Sequence, residues 1–129
     1  MPLASLQTSI PFAPLRRIPG RLDGGLLLLC DHASNALPPA YGRLGLPESQ
    51  FERHIAYDIG ARRATEAMAE ALGAPALLTT YSRLLIDPNR GPHDPTLVMR
   101  LSDGAIVPGN ARIDEAEICL LYTSPSPRD

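Results

Sequence analysis

Residues 26–30, LLLLC, form an unbroken apolar run that stops at a charged pair, Asp31-His32, followed at once by a loop carrying Asn35. An apolar run of this length without alternation predicts a strand buried on both faces, as in the interior of a parallel sheet. In open α/β sheets, ligands bind in the crevice beyond the carboxyl ends of such strands. An Asp-His pair at that place has the ingredients of a metal or proton-transfer site. Taken alone, the same pair reads more readily as a capping aspartate beside a satisfied loop histidine.

The chain has 129 residues, enough for one small domain or one half of a larger one. Its formal net charge of −2, with no cluster of basic residues, argues against a nucleic-acid partner. Trp is absent, so there is no stacking platform for bases either. All twelve basic residues are Arg, the side chain suited to bidentate carboxylate binding. No apolar run approaches membrane-spanning length, and prolines interrupt the N-terminal segment where a signal peptide would be continuous. Two cysteines, Cys30 and Cys119, do not make a disulfide framework, and a reducing cytoplasm is expected.

Residues 1–20 carry Pro2, Pro11, Pro14 and Pro19 and are expected to form an arm, docked by Leu15 and Ile18. Helical spacing from about Glu48 to Ala71 resolves best into a helix from Asp58, as N-cap, to Leu72. Its apolar stripe is expected at Ala64, Ala67, Met68, Ala71 and Leu72, and Gly73 ends it. Short strands are expected at residues 75–79 and 81–86, with an extended stretch at Leu97–Leu101. A turn-rich loop follows over 102–110, and a helix begins after Ala111. This order predicts an α/β layered fold. The string CLLYTSPSPRD at residues 119–129 resembles, residue for residue, the translation of a transposase-type sequencing-library adapter. It is expected to be a non-native tail, with residues 21–118 forming the N-terminal part of a larger, truncated domain.

Three constellations carry chemistry. His32 and Asn35 stand three apart after the first strand, with Asp31 as a carboxylate behind or beside them, a weak metal-ligand signal in itself. His54 and Asp58 are i and i+4, on one face if that segment is helical, and read either as site residues or as a surface pair. Arg83, Asp87, Asn89 and Arg90 cluster at the end of an expected strand. Two guanidinium groups, a carboxylate and an amide there suit a small acidic ligand, and D-P-N-R is also good turn chemistry.

The blocks CDHASNALP, RHIAYDIGA, YSRLLIDPNR and SDGAIVPGN, in this order, resemble the N-formylglutamate amidohydrolase family, in its bacterial branch. The resemblance implies a partial three-layer α/β/α sandwich with a mixed sheet, like that of the zinc-dependent carboxypeptidases and aspartoacylases. It implies hydrolysis of the N-formyl or N-acyl amide of an acidic amino acid, with a divalent metal, zinc by that analogy. His32 matches the first metal histidine of that family, and Asn35 stands where the related peptidases have a glutamate ligand. Asn89-Arg90 matches the pair that holds the substrate carboxylate. Asp31, His54 and Asp58 are carried as catalytic residues, and Arg83 and Asp87 join the substrate-binding group. The family's later histidine and acid/base carboxylate are not among these blocks, so the chain is expected to be inactive by itself. A non-catalytic domain that binds a small carboxylate or phosphate is the alternative.

Overall fold

Three short apolar segments pair into a mixed sheet in the order β1-β3-β2: Leu15–Ile18 (β1), Leu28–Cys30 (β2) and Ala76–Thr79 (β3). We describe residues 12–111 and 113–122 of a computed structural model of the chain. The central strand β3 runs parallel to β2, with Cys30 opposite Leu78, and antiparallel to β1, with Ile18 opposite Ala76. Helix α1, Ala61–Leu72, packs on this sheet against β2 and β3. A short hairpin, Leu101–Ser102 (β4) with Ala105–Ile106 (β5), helix α2, Glu115–Tyr122, and 3-10 turns at Pro39–Tyr41, Glu48–Glu52 and Pro108–Asn110 complete the regular structure among the described residues. The result is a mixed α/β chain.

Several expectations are corrected. The Leu26–Cys30 run is not buried on both faces: only Leu28–Cys30 is paired, at a sheet edge, and Leu27 and Leu29 remain 51% and 44% exposed. Their parity puts them on the side away from α1, which Leu28 and Cys30 face. The arm contributes β1; its first eleven residues lie outside the described residues. Residues 81–86 are not a strand but a buried turn. The Ser82 hydroxyl accepts the Leu84 N–H (3.2 Å) and donates to the Ala56 carbonyl (2.8 Å), while Leu85 N–H bonds back to the Ser82 carbonyl (3.1 Å). A serine that satisfies the local backbone in this way competes with a sheet ladder, and here it wins. The extended stretch expected over Leu97–Leu101 is mostly bend, extended only at Leu101, and the rest of the hairpin lies in what reads as loop.

Helix α1 starts later than its capping pattern suggests. Its N-cap is Gly60, at φ +85, a conformation that glycine adopts without strain. Asp58 gives the first turn only its carbonyl, bonded by Ala61 N–H at 3.1 Å, and its carboxylate turns elsewhere. The buried side of α1 is centred on Ala69, with Ala61 packed beside it. The expected stripe faces outward, with Met68 50% and Leu72 54% exposed. The C-cap glycine, Gly73 at φ +61, is as expected.

Two apolar cores result. The smaller joins Cys30, Ala33, Ala69, Ala76 and Leu78 between sheet and helix. The larger gathers Leu44, Phe51, Ile55, Tyr81, Leu84, Leu97 and Val107 from turns and loops, with Leu121 of α2. Asn110, itself buried, ties it together by donating to the Leu84 and Met99 carbonyls (2.7 and 2.8 Å). Helix α2 runs continuously across residue 118 and is fastened by Glu117, which accepts the Tyr41 hydroxyl. Burial and that carboxylate together push the Tyr41 pKa upward.

Candidate active site

The site is assembled by backbone hydrogen bonds between three stretches far apart in sequence. The loop after β2 is clasped to the segment before α1 where Asp58 N–H meets the His32 carbonyl (3.0 Å). The 81–87 turn joins both, through Ser82 N–H to Ala36 O (2.7 Å) and Arg83 N–H to Ala56 O (3.2 Å). Thr79, at the end of β3, donates its hydroxyl to the Asp31 carbonyl (2.8 Å) and receives the Ala33 N–H (3.3 Å). These contacts bring the side chains of His32, Asp58, Arg83 and Asp87 together.

Asp87 is the hub and is fully buried. Its Oδ1 meets His32 Nε2 at 2.7 Å and accepts the Asn89 N–H at 2.9 Å. Its Oδ2 accepts from Arg83 Nη2 at 3.0 Å, and Arg90 Nε stands 3.7 Å away. With one ring nitrogen held there, His32 points Nδ1 at Asp58 Oδ2, 3.2 Å off. Arg83 Nη1 lies 3.7 Å from the other Asp58 oxygen. A buried carboxylate fixing one imidazole nitrogen assigns the proton to Nε2 in the neutral ring and turns Nδ1 outward as an electron pair.

The electrostatics agree with this geometry. Burial alone pulls the His32 pKa down, but the hydrogen bond and charge of Asp87, aided by Asp58, outweigh burial and Arg83, and the net shift is upward. For Asp87, burial pushes upward, while the His32 and Asn89 hydrogen bonds and the His32 and Arg83 charges pull harder, so it stays ionised to lower pH. Without metal the His32 ring lies between two carboxylates, with the Arg83 guanidinium beside both. Buried charge of this kind is tolerable only because each member is paired.

Of the residues singled out from sequence, the structure brings together His32, Asp58, Arg83, Asp87 and Arg90, with Asn89 joining through its backbone N–H. It does not bring His54 into that group. His54 is exposed, and its Nε2 pairs with Asp103 (3.3 Å), which also binds Arg53. Asn35 donates its side-chain amide to the Phe51 carbonyl (2.8 Å). Asp31 joins through its carbonyl, as the Thr79 contact shows. The role of Asp87 as the orienting hub was not legible, because D-P-N-R equally describes an exposed turn. Asp58, carried from the sequence as a catalytic residue although the position also reads as a helix cap, joins the group through its carboxylate.

This geometry defines an α/β chain with a carboxylate-oriented imidazole at the carboxyl end of a sheet strand. The sequence model of the N-formylglutamate amidohydrolase family, FGase, matches residues 24–123. The chain therefore belongs to that family. Among solved structures it is similar to gene product Atu2144 from Agrobacterium tumefaciens, with a TM-score of 0.85 and 29% sequence identity. That likeness covers 94% of this chain and 50% of the other, so the chain spans about half the length of its structural relative. No curated protein matches it.

Proposed function

We propose that the chain supplies the first half of a metal-dependent active site. That site would hydrolyse the N-formyl or N-acyl amide of an acidic amino acid such as N-formylglutamate, giving formate and glutamate. The observation that carries this reading is the Asp87–His32–Asp58 alignment in a member of this family. His32 Nδ1 and an Asp58 oxygen form an N/O pair of the kind a divalent ion takes, and the Asp87 contact is the carboxylate support typical of metal-bound imidazole. The donor chemistry thus fits zinc, with Asp58 rather than Asn35 beside His32. Among the described residues no group of three or more His, Cys, Asp or Glu side chains is arranged to hold a metal ion. When bound, such an ion polarises the scissile carbonyl and lowers the pKa of its water toward ~7.

The chain's own residues then have distinct roles. Asp87 holds the imidazole in orientation. Arg83 neutralises Asp87 and restrains Asp58. Arg90, with an accessible guanidinium, receives a substrate carboxylate beside Asn89. The same reading makes the sheet and α1 part of a helix-covered hydrolase sandwich in the cytoplasm.

Calorimetric titration with N-formylglutamate, with and without Zn²⁺, tests it. Zinc-dependent binding that His32→Ala abolishes and Arg90→Gln weakens ~10-fold or more is expected. The incomplete donor group favours a second reading, a non-catalytic domain for small carboxylates. Binding that survives chelator and His32→Ala but is lost in Arg90→Gln would establish that reading instead.

A further inference from the structure

A cavity of about 360 Å³ opens next to the site and has no role in the reading above. It is lined by Arg16 and Arg62 together with Ser34, Asn35, Tyr57 and Thr80, and no carboxylate lines it. Ala33 and Tyr57, the chain neighbours of His32 and Asp58, lie in its wall. An adjoining recess of about 310 Å³ shares Ala33, Tyr57 and Arg62 with it and includes Asp58 itself. Between them the two spaces are lined by Asp58 and by both arginines, Arg16 and Arg62.

The charge there is only half balanced. Arg16 comes from β1 and Arg62 from the first turn of α1, and both lean on one acid, Glu66: Arg16 Nη1 at 3.0 Å, Arg62 Nε at 4.0 Å. Two cations against one anion leave one positive charge at a polar cavity wall. Arg62 is the less committed of the two, at the outer limit of an ion pair. Hydroxyls and an amide supply neutral hydrogen-bonding groups around it, a combination suited to a carboxylate.

We propose that this cavity is the subsite for the second carboxylate of the substrate, with Arg62 as the specificity-determining residue and Arg16 in support. The inference rests on the hydrolase reading and deepens it. Arg90 takes the carboxylate shared by all N-acyl amino acids, and Arg62 selects those with an acidic side chain. No covalent step is added.

Titration of the zinc-supplemented chain with N-formylglutamate and N-formylalanine, in wild type, Arg62→Gln, Arg62→Lys and Arg16→Gln/Arg62→Gln, decides it. Wild type should bind the dicarboxylate at least ~10-fold more tightly. Arg62→Gln should remove most of that preference while leaving N-formylalanine binding within ~2-fold, and Arg62→Lys should restore part of it. Arg62 is solvent-exposed on the helix, so these variants should fold, and a circular-dichroism melt checks this. A preference that persists in the double variant overturns the inference, as does wild type binding both ligands equally; in both cases the hydrolase reading stands. Wild type binding neither ligand with zinc present removes that reading and this inference with it.

Discussion

The two cores of this chain reverse the usual relation between regular structure and burial. The smaller lies between the sheet and α1, where helix and strands satisfy their own backbones, yet it is built mostly from alanine and leaves Leu27, Leu29, Met68 and Leu72 half-exposed. The larger is made almost wholly of turns and loops, yet it buries Leu84, Val107 and Ile55 nearly completely. Loops can be buried only if their peptide groups find partners. Here Ser82 and Asn110 provide them from their side chains, and turn hydrogen bonds provide the rest. The candidate site sits on this second kind of core. Irregular backbone, fastened by specific polar side chains, sets the relative positions of His32, Asp58 and Asp87. The regular part supplies an edge and an apolar surface.

The sharpest way to break this contrast is at Asp87. Asp87→Ala leaves His32 and Arg83 without their buried partner and should cost ~3–5 kcal/mol, read by urea denaturation. A cost below ~1 kcal/mol would mean the polar hub does not organise the larger core. Next, Leu84→Ala should cost ~2–5 kcal/mol. Leu72→Ala on the outer face of α1 should change stability by no more than ~1 kcal/mol, and equal losses at the two positions would abolish the distinction between the regions. Asn110→Ala strands the buried Leu84 carbonyl and the half-buried Met99 carbonyl and should cost ~1–3 kcal/mol.

The pH dependence is gentler. The folded His32 pKa is raised, so its stabilisation is fully present below the unfolded value of ~6.5 and is lost as pH climbs through the higher folded value. The folded Asp87 pKa is lowered, so its stabilisation is present above the unfolded value of ~4 and is lost as pH falls through the lower folded value. The metal-free chain should therefore melt highest between about pH 4 and 6.5. Zinc, which needs neutral imidazole, should stabilise it more as pH rises. His32→Gln should flatten the upper limb, and an unchanged profile would refute the coupling. The smallest effect is expected on the exposed side: Met68→Lys with Leu29→Thr should alter stability by about 0.5 kcal/mol or less and raise solubility.

Much of the site was legible in the residues and less of the fold. Gly73 as a helix end and the loop beginning at Asp31 follow from local chemistry that holds in any context. The outward face of α1 does not. Periodicity shows that Ala64, Met68 and Leu72 share a side, but not which side meets the sheet, and the structure buries Ala69 instead. Residues 81–86 read as a strand because apolar runs are ambiguous, and the Ser82 hydroxyl resolved the choice only once Ala56 was beside it.

The sequence by itself determined the inventory: histidine, carboxylates and arginines at loop positions, in an order shared with one hydrolase family. Tertiary structure alone decided the pairing. His32 meets Asp87 across 55 positions and Asp58 across 26, distances over which no local pattern carries information. A carboxylate and an imidazole acquire orientation and shifted proton affinity only when folding removes water from around them and leaves each as the other's partner.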